Sequence, residues 1–256
     1  MTKGRKSPDE MTFLEHLEDL RKRLFHAIIV LLVAVIPCWI YSPEIYKVLS
    51  RPVTQYLPEG TKLAFTSLVS PFTLYMKVAF LCAGFVTSPY IFYQLWKFVA
   101  PGLYQKEKKY VIPFVLGTSG FFIAGALFGY FVAFPFACRF FLNLGSDFQP
   151  VITVDTFFSL TIKLLLGIGL VFEMPTLIFF LARMGIVTAS WMIKHLKYAI
   201  LAIFVIAAII TPTPDIVNQS ILAVPMLVLY GLSILIALLF GKKKRTKAED
   251  EAQPAG

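Results

Sequence analysis

Charged side chains are scarce in this 256-residue chain, making up 15% of it, against about 25% in a soluble domain. Hydrophobic residues fill the gap at 57%, with a mean hydropathy of +0.73. That balance excludes a disordered chain, a collagen-like repeat and a soluble nucleic-acid binder. Cysteine is rare as well: Cys38, Cys82 and Cys138 lie far apart, in or beside apolar runs. They support neither a disulfide scaffold nor a zinc site, and the three histidines have no metal-ligand spacing. Catalytic templates are missing too. There is no Gly-rich phosphate loop with Lys-Ser/Thr, no His-Glu-x-x-His and no Gly-x-Ser-x-Gly. Gly167-Ile168-Gly169 has no strand before it, so it reads as helix packing rather than dinucleotide binding. No ATP-hydrolysing apparatus is recognisable, and any work must draw on a partner or the membrane potential. Acids are fewer than bases, 15 against 24.

What is present is a series of long apolar runs, the signature of an all-α integral membrane protein. The first 23 residues form a charged, amphipathic segment whose five acids are wrong for a cleavable signal peptide. Span one is predicted over Leu24–Ile40, followed by a loop with a short helix at Glu44–Leu49, capped by Ser42, and a turn at Pro52. Span two runs from Pro71 to Val99, with a kink expected at Pro89. After a short basic loop, Ala100–Lys109, span three covers Tyr110–Phe134 and is closed by Pro135. The next loop ends in an extended-looking Val151–Val154. Span four, Thr156–Ala182, carries Lys163 near its start and Glu173 deeper in. Span five, Tyr198–Ile210, has only 13 apolar residues, about 20 Å of helix. A tight turn containing Pro212, Pro214 and Asp215 leads into span six, Ile216–Phe240. The transmembrane domain thus covers 24–240, and 241–256 is predicted to be a disordered cytoplasmic tail. Eighteen of the 24 Lys and Arg fall in the N-terminal segment, the 97–109 and 183–197 regions and the tail. The positive-inside rule then places both termini in the cytoplasm, with six spans.

Three sets of acids are informative. Phe13, Leu17, Leu20 and Leu24 share a helical stripe, with Glu15, Glu18 and Asp19 opposite. The spacing predicts Glu18–Lys22 and Asp19–Arg23 pairs on a solvated face, or else carboxylates offered to a cationic ligand. Glu107 is the one acid in its basic loop. Glu173, some 17 residues into span four, costs roughly 2.5–3.5 kcal/mol on insertion scales. It therefore needs a cavity, a partner or a proton, and Pro175 beside it frees a backbone carbonyl. On these residues alone, a proton-coupled small-solute transporter with Glu173 as carrier competes with a binding scaffold.

The motifs decide between them. His16-Leu17 is followed by Leu20-Arg21-Lys22-Arg23-Leu24, and Ser70-Pro71-Phe72 opens span two. Tyr93-Gln94, Trp96, Phe98, Ala100-Pro101, Leu103-Tyr104 and Glu107 come next. Phe134-Pro135, Phe172-Glu173 with Pro175, Thr211-Pro212 with Pro214-Asp215, and Pro225 complete the series. From about His16 to Tyr230 the chain resembles the TatC family, the polytopic receptor subunits of the twin-arginine protein translocase. The resemblance implies six helices in a concave, cup-like arrangement with spans five and six short. It implies a non-enzymatic subunit without cofactor, in the bacterial cytoplasmic membrane, driven by the proton-motive force. Implied partners are TatA- and TatB-like single-span proteins, signal peptides of folded cargo, further copies of the chain and membrane lipid, with no nucleic acid. Signal-peptide binding is implied for Asp19, Glu18, Arg21, Phe98, Tyr104 and Glu107, and partner contact within the membrane for Glu173. Asp19 stands where the family usually has Glu.

Overall fold

The computed structural model describes residues 13–55, 63–99, 111–148, 151–211 and 215–241. Among them are five helices long and apolar enough to cross a membrane, together with one shorter apolar helix. The helices group into two compact units, one ending at Gly169 and the other beginning at Leu170.

In the first unit α1 (Phe13–Ile40) carries the charged N-terminal segment straight into span one without a break. It packs antiparallel on α3 (Ser70–Val99), with Pro89 inside the latter. Trp39 meets Phe72 edge-on at one end and His16 stacks on Phe98 at the other. Cys38, Ala79 and Ala83 form the buried seam between them; small residues let two backbones approach closely where lipid provides no hydrophobic drive. Phe122 of α4 (Val111–Phe128) then takes the Phe85 and Phe92 rings of α3. Opposite it, a Cβ on Gly169 would sit 2.9 Å from the Phe122 ring. The glycine is a packing residue, as its sequence context suggests.

Pro135 does not close span three. α4 passes through a π-helical turn, Gly129–Ala133, into α5 (Phe134–Leu144). A proline ring clashes with the carbonyl one turn back and offers no N–H, and the wider π turn relieves both problems. The short helix after span one is also longer than predicted. α2 runs from Ser42 to Thr54, so Pro52 lies buried inside a helix rather than in a turn. Ser42 is not its cap, because its hydroxyl donates back to the Trp39 carbonyl at 2.8 Å. Pro52 leaves the Val48 carbonyl without its helical donor, and the Tyr130 hydroxyl donates to that oxygen at 2.6 Å. Helix α2 continues past its proline because the third span replaces the missing bond.

The extended stretch before span four reaches only to Thr153, which forms an isolated parallel bridge with Ala64, because Val154 already starts the helix of span four. Ala64 N–H donates to Ile152 and Val154 N–H donates to Ala64, at 2.9 and 2.8 Å. Span four itself is two helices, α6 (Val154–Phe172) and α7 (Met174–Arg183), separated at Glu173.

In the second unit α8 (Ala189–Lys194) is capped by the Thr188 hydroxyl and leads into α9 (Leu196–Ile210). α9 has 15 residues, about 22 Å of rise against a hydrocarbon core of roughly 30 Å. α10 (Ile216–Phe240) has 25 residues, so of the two spans expected to be short only span five is. Nothing charged interrupts Ile216–Phe240, and Pro225 sits inside without ending the helix.

Tyr130→Phe is expected to lower stability by about 0.5–1.5 kcal/mol, since it strips the hydroxyl donor from a carbonyl whose helical donor position is taken by Pro52. In a Pro52→Ala background, residue 52 supplies its own N–H and the same substitution should cost clearly less. Thermal unfolding of the four proteins in detergent measures the coupling; equal costs in both backgrounds would refute it.

Candidate functional site

The charged end of α1 is sorted into two faces by helical spacing. Glu18 pairs with Lys22 at 2.8 Å on the outer face, with both side chains more than 60% exposed. Asp19 and Arg23, one residue on, are only 27% and 17% exposed and are joined by a 2.6 Å Nε–Oδ2 contact. Both predicted i,i+4 pairs are present, and they differ in kind. An open pair such as Glu18–Lys22 contributes roughly 0–1 kcal/mol. The shielded Asp19–Arg23 pair is a charge-assisted hydrogen bond held away from competing water.

The face that shields Asp19 is set by His16, one turn earlier. Its ring stacks on half-buried Phe98 at a centroid distance of 4.3 Å. His16, Asp19 and Arg23 recur at three and four residues, so they share the face of α1 on which His16 meets the C-terminal end of α3. Arg21 points elsewhere, its guanidinium 5.6 Å from the exposed Phe25 ring. The structure thus brings His16 to Phe98, gives Asp19 a shielded partner in Arg23, and leaves Glu18 and Arg21 on the open side. Tyr104 and Glu107 lie outside the described residues.

Glu173 occupies the single-residue break in span four, as the residue before α7. Pro175 follows in the first turn and withholds the N–H that the Val171 carbonyl would receive in a continuous helix. The glutamate is half-buried and its Oε1 is fully buried. The break and the acid coincide, so an ionisable group stands where the backbone is already irregular.

Asp215 caps the last helix. Its carboxylate accepts from the Asn218 N–H at 2.8 Å and from the Asn218 side-chain amide at 2.9 Å, starting α10. Pro212 and Pro214 lie outside the described residues. One polar cluster was missed by sequence reasoning. The Ser70 hydroxyl donates to Asp155 at 2.6 Å, and Lys77 Nζ lies 3.7 Å from the other carboxylate oxygen. These residues are 85 positions apart; the only hint was that serine and aspartate each stand at the start of an apolar run.

Long apolar helices, one of them broken at an acidic residue and another carrying a shielded arginine–carboxylate pair at one end, define a polytopic membrane protein. Comparison with known proteins narrows this class. A family model described as Sec-independent protein translocase protein (TatC) matches residues 15–225. The TatC protein of Koribacter versatilis (strain Ellin345) is 45% identical over 248 residues, 96% of this chain and 91% of that protein. That of Campylobacter jejuni subsp. jejuni serotype O:2 is 42% identical over 240 residues, covering 92% and 97%. A crystal structure of the twin arginine translocase receptor TatC in DDM superposes with a TM-score of 0.79 at 35% identity, covering 90% of this chain and all of that one. The chain belongs to the TatC family. It is a multi-pass subunit of the bacterial twin-arginine translocase, and a non-enzymatic one.

If polarity at the span-four break is what matters, Glu173→Gln should retain most export of a twin-arginine precursor and Glu173→Leu should lose most of it. With Cys38, Cys82 and Cys138 replaced, Glu173→Cys should react with a small water-soluble thiol reagent. Normal export by Glu173→Leu together with an inert cysteine would show that the acid is merely tolerated.

Proposed function

We propose that the charged end of α1 and the 100–109 segment together bind twin-arginine signal peptides on the cytoplasmic face. The observation that carries this reading is the His16–Phe98 stack. It holds the Asp19 face against the end of α3, from which the chain runs directly into the segment bearing Tyr104 and Glu107. A net charge of +9 repels a cationic peptide, so recognition has to come from local carboxylates. Arg offers a planar fork that pairs bidentately with a carboxylate, which Lys cannot reproduce. Two adjacent arginines call for two acids, and Asp19 and Glu107 are the pair proposed.

Arg23 gives this reading a mechanism. It already occupies Asp19 as an internal guanidinium, so an incoming arginine exchanges with it rather than entering a vacant, desolvated carboxylate. Glu18, exposed and paired with Lys22, is assigned a secondary role. Both termini are placed in the cytoplasm, because the Lys- and Arg-rich segments then share one side. Glu173 and the short α9 are assigned to contacts with single-span TatA- and TatB-like partners, and the proton-motive force is assigned as the energy source. Membership of the TatC family removes the observation that favoured a small-solute transporter, since its intramembrane acid belongs to a translocase subunit.

Glu107→Ala should abolish photo-crosslinking of a twin-arginine peptide to positions 15–23 while the protein still accumulates in the membrane; unchanged crosslinking would overturn the assignment. Asp19→Glu should keep peptide binding, and Asp19→Asn should weaken it about tenfold or more, as expected for loss of a shielded charged hydrogen bond. Full binding by Asp19→Asn would move the role to Glu18.

A further inference from the structure

The elbow between α8 and α9 combines cations and aromatic rings with a local absence of negative charge. From Met174 to Pro214 the chain contains no Asp or Glu, yet Lys194 and Lys197 both stand exposed there. One face of the elbow is used in packing. Ala189 and Met192 are buried with Ala182 and Ala237, and the Tyr230 hydroxyl donates to the Met192 carbonyl at 3.0 Å. The other face is turned outward, with Trp191 53% and Tyr198 59% exposed.

The outward rings are ordered. Trp191 and His195 stack with centroids 4.5 Å apart, and Tyr198 continues the ladder at 6.2 Å from His195. Lys197 Nζ lies 5.0 Å over the Tyr198 ring. His195 Nδ1 is 2.8 Å from the Trp191 carbonyl; a carbonyl only accepts, so this nitrogen carries the hydrogen and the ring is pinned. Exposed tryptophan and tyrosine are at home at headgroup level. Lysines beside them favour anionic headgroups by roughly 1 kcal/mol each, about a fivefold preference per lysine. The position fits as well, because the elbow starts a span of about 22 Å, too short for the hydrocarbon core. Headgroups have to come inward to meet its end.

We propose that Trp191, Lys194, His195, Lys197 and Tyr198 form a binding site for the headgroup of an anionic phospholipid. The two ammonium groups take the phosphate, the ring ladder lies along the glycerol and upper acyl region, and the Nε2 edge of His195 faces the headgroup. A zwitterionic headgroup brings its own cation and competes poorly for two lysines.

The test is native mass spectrometry of the full-length protein released from detergent, loaded with phosphatidylglycerol or with phosphatidylcholine of the same acyl chains. The wild type should retain phosphatidylglycerol roughly tenfold or more in preference to phosphatidylcholine. Lys194→Gln with Lys197→Gln should bring retention down to the phosphatidylcholine level, and Lys194→Arg with Lys197→Arg should restore it. Matching thermal unfolding of these proteins shows that the fold is intact. Equal retention of the two lipids by the wild type, or undiminished phosphatidylglycerol in the double Gln variant, would overturn the proposal. So would displacement of the lipid by equimolar inorganic phosphate or by a poly-glutamate peptide, which would identify a site for free phosphate or for acidic protein.

Discussion

In hydrocarbon, a carbonyl that loses its helical N–H has to find another donor or a different backbone geometry. Three prolines show different ways of meeting that demand, Pro135 and Pro175 within spans and Pro52 in the helix after span one. At Pro52 the donor comes from the Tyr130 hydroxyl. At Pro135 the helix widens into a π turn and carries on. At Pro175 the helix is interrupted, and the interruption falls on the one acid deep in an apolar span. Only the last solution leaves irregular backbone beside an ionisable side chain. Helix-breaking residues are thus local in sequence, while their accommodation depends on distant parts of the chain.

The same logic separates the two acids at the start of α1. Glu18 and Asp19 are adjacent and each meets a base four residues on, but the His16–Phe98 stack gives them different surroundings. Charge that is shared with solvent does little to discriminate among ligands. Asp19 is shielded and already hydrogen-bonded to a guanidinium, so its charge is far less shared with water than that of Glu18.

Much of this was legible in the sequence. The span centres follow from hydropathy, the i,i+4 ion pairs from spacing, the role of Gly169 from the absence of a strand before it, and the short span five from a simple count. What sequence reasoning missed has a common physical origin. Pro135 reads as a stop because its cost is local and its remedy, a wider turn, leaves no mark in composition. Pro52 reads as a turn residue because the Tyr130 hydroxyl that services its helix is 82 residues from Val48. The resemblance implies a short span six, and its own unbroken run to Phe240 decides otherwise. The Asp155 cluster escapes notice because serine, lysine and aspartate near span ends are unremarkable until α3 and α6 converge.

That convergence also orders events in time. Ala64 bonds to Ile152 and Val154, and Ser70 bonds to Asp155, so the segment leading into span two is completed by residues that start span four. As the chain leaves the ribosome, spans two and three must enter the bilayer before either contact can form. Loop closure over such a distance is entropically slow relative to helix formation. Until then the α1–α3 seam is a contact that the first two spans can make by themselves. The loop after span one is therefore completed only by residues synthesised after span three.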